Sequence, residues 1–460
     1  MNYEESVRAL VSLGRELGAP RQARLEKFGL ETIATLASDL GNPHCAAPSA
    51  HVAGTNGKGS TAAMLESILR ASGLRTGLYT SPHLERINER IRINGEDISD
   101  ESFASCWTLV HASIESLMAA GHLAAHPTFF ECLTAMAFLA FAQHDVDFAV
   151  YEVGLGGRFD ATNIVPSSIA ILTPIDFDHE NFLGHSIEEI AAEKAGIMKA
   201  GAWVVSSAKR PEARAVITRR AKELDLRLIE VDSAWRMEDT EVSAGCYRAV
   251  VAPSRSDRRL LIAPRLPGRF QLRNALTAAT AARLLAERGF PVTDQAIERG
   301  IATVRWPGRL ERLSERPALY LDGTHNPAGA RELVKFWEEN FAGSRLVLVY
   351  GTMRDKAVDE IASLLFPHAD QVILTESRQP RAISVALLAE ITGHLAKQLI
   401  LVGDPARALE RALAMATPEG CVFLTGSLYL VGEWRAYWRD RKSSEVPPRP
   451  RSLDGHSDET

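Results

Sequence analysis

Cysteine is scarce in this 460-residue chain. The five present, Cys45, Cys106, Cys132, Cys246 and Cys421, are scattered, odd in number and without metal-ligand spacing. That argues against a disulfide framework or a cysteine-built zinc site, and it points to a reducing cytosol with the thiols in the core. Long apolar runs are missing too. The longest charge-free one, Cys132 to His144, is too short to span a bilayer. Met1 to Leu10 carries Glu4, Glu5 and Arg8 in place of an apolar h-region, so neither export nor membrane insertion is expected. Nor is charge of one sign in excess: 58 acidic residues against 52 basic ones leave a net charge of -6, which gives no general attraction to nucleic acid or anionic membrane. No internal repeat is found. The remainder, 46% hydrophobic and 24% charged, is an ordinary globular composition in a chain too long for one core, so two domains are expected.

The richest feature is His51-Val52-Ala53-Gly54-Thr55-Asn56-Gly57-Lys58-Gly59-Ser60, an apolar strand entering a glycine-rich turn and leaving in a helix that begins near Lys58. Glycines let backbone N–H groups approach oxyanions, a helix N-terminus adds partial positive charge, and Lys58 adds a full one. A nucleoside triphosphate, ATP, is the expected guest. The run departs from the strict G-x-x-x-x-G-K-[ST] form, because Val52 stands at the first glycine and Gly59 moves the hydroxyl to Ser60.

Along the chain, strand-like runs at 148–151, 169–172 and 203–205 alternate with helical segments at 186–198 and 212–223, which reads as a parallel sheet with covering helices. Residues 234–261 loosen into short alternating segments, a β-rich appendage. Helices are expected at about 271–288 and 294–303 before Trp306-Pro307-Gly308-Arg309 breaks the pattern, and the domain boundary is placed there. Strand-like runs at 318–321, 346–349, 372–374 and 422–424 then predict a smaller doubly wound α/β domain. From Arg441 to Thr460, charge, three prolines and few apolar groups predict a disordered tail.

Further clusters sit where parallel strands end. Glu152 follows one such strand and opens the run to Asn163; a carboxylate there suits Mg²⁺, although a surface glutamate is the plainer reading of the residue alone. Asp176-Phe177-Asp178-His179 offers an imidazole for a metal or a proton. Glu193 and Lys194 read by themselves as a pair on a solvated helix face. Asp322-Gly323-Thr324-His325-Asn326-Pro327 precedes a helix in the second domain, and Arg309 at the hinge, by itself more often a structural ion-pair partner, becomes a candidate phosphate clamp when paired with the phosphate loop.

Gly54 to Ser60 resembles the phosphate loop of the Mur ligase superfamily, and in particular its folylpolyglutamate and dihydrofolate synthase branch. The same branch is resembled by Thr80-Ser81-Pro82-His83-Leu84, Thr128-Phe129-Phe130-Glu131, Glu152 to Asn163, Asp178-His179, Glu193 to Ile197, Gln271 to Ala275, the Trp306 and Asp322 motifs, Asp355-Lys356 and Gly426-Ser427-Leu428-Tyr429, in order over nearly the whole chain. The resemblance implies an ATP-binding Mur-ligase-like domain over 1–305 that also carries a pterin site, and a glutamate-ligase α/β domain over 306–440, with the active site between them. It implies that Gly57, Lys58, Gly59, Ser60, Asn274, Arg309 and Asp322 bind ATP, that Ser81 and Glu152 hold one Mg²⁺, and that His179 holds a second. Lys194 matches a lysine carbamylated in relatives, and His325 a contact for phosphate or for orienting the nucleophile. Lys27, Phe28, Gly29, Thr128, Phe129, Phe130, Glu131, Phe159, Asp160 and Ala161 would form the pterin side; Lys27 and Phe28 depart from the acidic residue and leucine of some bifunctional relatives.

The implied reaction is ATP-dependent addition of L-glutamate to a reduced folate, and also to 7,8-dihydropteroate, through an acyl phosphate, by a cytoplasmic monomer. Two other readings are a peptidoglycan Mur-type amino-acid ligase and a phosphate-loop NTPase switch. The first usually carries a domain of about a hundred residues before the loop, where this chain has 53. The second leaves the second-domain motifs unexplained.

Overall fold

The computed structural model describes residues 1–14, 29–254 and 256–445. Lys27 and Phe28 lie outside the described residues. Eight strands form the first sheet: β1 (Ser49–Ala53), β2 (Thr76–Tyr79), β3 (Ile91–Ile93), β4 (Glu96–Asp97), β5 (Phe148–Glu152), β6 (Ile169–Leu172), β7 (Trp203–Ser206) and β8 (Leu228–Glu230). Their order is β4-β3-β2-β5-β1-β6-β7-β8, parallel from β2 to β8 and antiparallel at the β3–β4 edge. β1 sits between β5 and β6 and is buried throughout, as its apolar sequence requires.

Alternation along β5 sorts its side chains to two faces. Phe148 and Val150 join a core with the helices Lys58–Ala71, Phe270–Glu287 and Asp294–Thr303, while Ala149 and Tyr151 join one with the helices Asp100–Ala119 and Phe129–Gln143. Gly300 lets Asp294–Thr303 lie directly on the helix that follows β1: a Cβ there would come within 2.5 Å of the Ile68 Cα, and the Gly300 carbonyl accepts from the Ser67 hydroxyl at 2.7 Å. The phosphate-loop helix is thereby held from behind.

Residues 234–261 do form a β appendage, the antiparallel sheet β11-β10-β9, with β9 at Trp235–Ser243, β10 at Cys246–Pro253 and β11 at Leu260–Ile262. A second doubly wound unit follows: β12 (Glu311–Glu315), β13 (Ala318–Leu321), β14 (Leu346–Tyr350), β15 (Gln371–Leu374), β16 (Leu399–Leu401) and β17 (Cys421–Thr425), in the order β12-β13-β17-β14-β15-β16 and parallel except at β12. The mixed α/β class expected from the sequence is the one observed.

Two expectations need correction. The last helix runs Leu428–Glu445, five residues into the segment read as a tail from Arg441. Buried Trp434 donates to the Pro405 carbonyl at 2.9 Å, and Arg435 and Arg439 both pair with Glu85, so tertiary contacts carry the helix past the point where composition turns polar. Cys45 is exposed rather than in the core, whereas Cys106, Cys132 and Cys421 are buried; all five thiols are free.

Candidate functional site

Both parallel sheets turn their carboxyl ends toward one cleft, the place where α/β sheets collect ligands. β1 leads into the phosphate loop. Its backbone is tied to the loop that follows β6: Thr55 N and Asn56 N donate to the Pro174 carbonyl (2.9 and 3.3 Å), and the Thr55 hydroxyl donates to the Asp176 carbonyl while accepting from the Asp176 N–H (2.9 and 3.1 Å). Gly57 is left-handed at φ 85°, and a Cβ on it would lie 2.5 Å from Asn274 Oδ1. No side chain caps helix Lys58–Ala71, which leaves the donors of its first turn without an intrahelical acceptor and available to an oxyanion. Lys58 Nζ donates back to the Thr55 carbonyl at 3.3 Å, over the loop.

One cavity of about 340 Å³ gathers Gly57, Lys58, Gly59, Ser60, Ser81, Glu152, His179, Lys194, Asn274, Arg309, Asp322 and His325. Glu152 is buried at the end of β5 and its Oε2 accepts from Ser81 N at 3.2 Å. Burial pushes its carboxyl up, while Lys58, the Ser81 N–H and Arg309 pull it back toward the anion. Arg309 is pushed down by burial and supported by Asp322 and Glu152. Asp322 accepts from Leu310 N and Thr324 N, both at 2.9 Å, and so fixes the turn that carries Arg309.

Lys194 overturns the expectation of a solvated pair. Only 4% exposed, it donates from Nζ to the Gly54 carbonyl at 3.0 Å, and burial together with nearby Lys58 pushes it down to about 7. The cause is helix placement: Ile190, Ala191 and Ala195 pack into the core against β6 and carry Lys194 in with them. Glu193, its neighbour, stays near the surface and pairs with Arg158 at 3.7 Å.

Asp178 is a hub that sequence reasoning left without a role. Its Oδ1 accepts from Lys356 Nζ at 3.0 Å, its Oδ2 from Asn326 Nδ2 at 3.1 Å, and His325 Nε2 lies 3.7 Å from Oδ2. Burial opposes its charge, but His325, His179 and Lys356 outweigh that and hold the carboxyl far below the usual range. His179 is also pushed down, to about 3, by burial and the nearby cations Lys356 and Lys58, and for an imidazole that means the neutral form. His325 Nδ1 donates to the Gly323 carbonyl at 2.7 Å, which turns Nε2 toward Asp178.

A second cavity, about 580 Å³, gathers Gly29, Thr128 to Glu131 and Phe159 to Ala161 from the first unit with Lys356, Arg381, Ser427 and Tyr429 from the second. Thr128 and Glu131 form a reciprocal capping box at the start of helix Phe129–Gln143, so their polar atoms serve the helix and the wall they offer is largely Phe129 and Phe130. Asp160 likewise organises the chain: Oδ2 accepts from Gly154 N and Leu155 N (2.9 and 3.0 Å), while Oδ1 accepts from Thr162 N at 3.0 Å and from the Thr162 hydroxyl, whose oxygen lies 2.8 Å from His51 Nε2. Phe159 is exposed at the cavity. The two cavities share a seam that includes Ser81, His179 and His325.

A phosphate loop in one α/β unit, faced by a second unit across a cleft with two chambers meeting at a seam, defines an enzyme that brings a nucleotide to another substrate. Comparison with known proteins narrows the class. The Mur ligase middle domain matches over residues 52–282 and the Mur ligase glutamate ligase domain over 308–428. The chain is 35% identical to the dihydrofolate synthase/folylpolyglutamate synthase of Bacillus subtilis (strain 168) over 425 residues, 89% of this chain and 94% of the relative. Among solved structures, Mycobacterium tuberculosis folylpolyglutamate synthase complexed with ADP and AMPPCP superimposes with a TM-score of 0.83 at 31% identity, covering 94% of this chain and 99% of that one. E. coli FolC in complex with DHPP and ADP gives a TM-score of 0.82 at 30% identity, covering 96% and 99%. The chain belongs to the Mur ligase family, in its folylpolyglutamate synthase/dihydrofolate synthase branch.

Proposed function

We propose that this chain is an ATP-dependent ligase that adds L-glutamate to reduced folates and to 7,8-dihydropteroate. The observation that carries the reading is the seam: a chamber with a phosphate loop opens at Ser81, His179 and His325 into a chamber walled by Phe129, Phe130 and Phe159. An acceptor lying against that aromatic wall with its carboxylate at the seam would meet the γ-phosphate of an ATP seated on Gly57 to Ser60. Relatives solved in complex with ADP, AMPPCP and DHPP support both occupants.

A carboxylate acylates poorly because its leaving group would be oxide. Transfer of the γ-phosphoryl group first makes an acyl phosphate; the glutamate amine then attacks the acyl carbon and phosphate departs. Lys58 and the uncapped helix turn would stabilise charge on the transferring group. Arg309, held by Asp322, would clamp the phosphates from the facing domain, with Asn274 lining the same chamber. His325 would orient a reacting group through Nε2.

The donors suit Mg²⁺, a hard cation usually held by one or two carboxylates together with substrate phosphates and water. Among the described residues no three His, Cys, Asp or Glu side chains converge as a closed metal cage. Glu152 and Ser81 would hold one ion and His179 a second. Bound Mg²⁺ supplies charge neutralisation on the phosphates. Lys194 as an ammonium cannot ligate; as a neutral amine it can take up carbon dioxide and release a proton to become a carbamate, an oxygen donor in the chamber that His179 also lines. A monomer in the cytoplasm is part of the proposal, and five scattered cysteines without paired or metal-ligand spacing suit a reducing compartment. The unit boundaries we adopt are 1–305 for the ATP-binding domain and 306 to the end of helix Leu428–Glu445 for the ligase domain.

Phosphate release with ATP, Mg²⁺ and L-glutamate, run separately with dihydropteroate and tetrahydrofolate and with products identified by mass, tests the reading. Glutamylation of tetrahydrofolate alone removes dihydropteroate as an acceptor. Turnover of neither, with turnover of a UDP-muramoyl acceptor, overturns the folate reading; phosphate release without glutamate or acceptor favours a switch.

A further inference from the structure

Asn56 is a phosphate-loop side chain engaged outside its own domain. Its Nδ2 donates to Asn326 Oδ1 at 3.1 Å and its Oδ1 accepts from Asn326 Nδ2 at 2.9 Å, a reciprocal amide pair that joins the loop after β1 to the turn after β13. Asn326 does more. Its Oδ1 also accepts from Gly329 N at 2.8 Å, capping helix Pro327–Asn340, and its Nδ2 also donates to Asp178 Oδ2 at 3.1 Å. An amide side chain has two donor hydrogens and two acceptor lone pairs, and Asn326, 2% exposed, uses all four. Aspartate has no donors to give Asn56 and Asp178, and serine keeps the cap but is too short for the rest.

The consequence lies in what these bonds connect. The phosphate loop is tied on one side to Pro174 and Asp176 in the loop after β6 of its own domain, and on the other, through Asn56, to the N-terminus of a second-domain helix. We propose that Asn326 is a positioning residue: its amide is the clasp through which docking of the second domain sets the phosphate loop for phosphoryl transfer. The activity readout rests on the ligase reading above; the clasp itself does not.

The test is a cycle of Asn56→Ala, Asn326→Ser and the double variant. Asn326→Ser preserves a good helix cap, so loss of folding does not confound it. Each single change is expected to lower kcat by about 10- to 100-fold, the cost of stranding buried amide partners, with KM for the acceptor unchanged. The double variant should be no slower than the slower single one, because both break the same pair. Asn326→Asp, which also keeps the cap but sets a carboxylate against Asp178, should be slower than Asn326→Ser. With AMPPCP bound, small-angle scattering should show Asn326→Ser more expanded than the unaltered protein. Single variants with unaltered kcat, or kcat losses that multiply in the double variant, overturn the proposal. If the unaltered protein glutamylates no acceptor, the ligase reading fails instead and the clasp stands or falls on scattering: identical curves for the two proteins refute it.

Discussion

Replacing Lys194 by methionine should make the protein more stable and inactive. The lysine is buried, its Nζ has the Gly54 carbonyl as hydrogen-bond partner at 3.0 Å, and Lys58 is a like charge close by. Its amine sits at about 7 where an exposed lysine would be 10.5. A base depressed in the folded state is penalised wherever the unfolded chain holds the proton more tightly, so the cost is fully present below about pH 7, shrinks as pH rises, and is gone above about 10.5. At ~1.36 kcal/mol per pH unit the ceiling is roughly 5 kcal/mol below pH 7, falling to about 2 kcal/mol near pH 9. Methionine fills similar volume without the charge, so the Lys194→Met unfolding midpoint in urea should exceed that of the unaltered protein in carbonate-free buffer, by more at pH 6.5 than at pH 9, as trial conditions bracketing the shift. Bicarbonate should narrow the gap by converting the amine to a carbamate. Equal midpoints at pH 6.5, or a gap that does not shrink with pH, would refute the buried-ammonium argument.

Lys58→Ala should fold and lose about 10²- to 10³-fold in kcat, the scale of removing one preorganised transition-state contact; near-normal phosphate release would discard the phosphate-loop assignment. Gly57→Ala forces a Cβ into the left-handed region 2.5 Å from Asn274 Oδ1, so it should cost at least 1–2 kcal/mol of stability and weaken AMPPCP binding measured by calorimetry. Lys194→Ala should lose activity and regain part of it with acetate, whereas failure of every small carboxylate would count against a carbamate at this position. Thr162→Val removes the hydroxyl between His51 and Asp160 and should raise KM for the pterin acceptor about 5- to 100-fold, with KM for ATP unchanged; a parallel rise in both would mean general unfolding.

Legibility in the sequence followed the range of the forces involved. The strand, turn and helix around Gly57 are specified within ten residues by local chemistry, and their expected placement matches β1 and helix Lys58–Ala71. The second βα series was readable for the same reason. Thr128-x-x-Glu131 carries the capping-box spacing in plain view, yet motif resemblance drew attention to the pterin wall instead. Taken by itself Lys194 reads as half of a solvated pair, and only the motif resemblance brought it into the site, because burial depends on which helix face meets β6, a fact of packing that a Glu-Lys pair does not announce. The Asp178 hub and the Asn56–Asn326 pair join residues more than a hundred positions apart, and no periodicity or spacing encodes such meetings. Asn326 stood in a noted motif, but its four bonds appear only once both sheets are assembled.

The two chambers share few walls, and this separates what evolution can change from what it cannot. Side chains lining only the larger chamber, such as Phe129, Tyr429 and Arg381, can drift and remodel which acceptor is taken without disturbing the phosphate loop. Ser81, His179 and His325 answer to both chambers at once, so a change there must satisfy two partners together. A fold so divided can diversify in acceptor while its phosphoryl chemistry stays put, and the seam is where variation between relatives should be smallest.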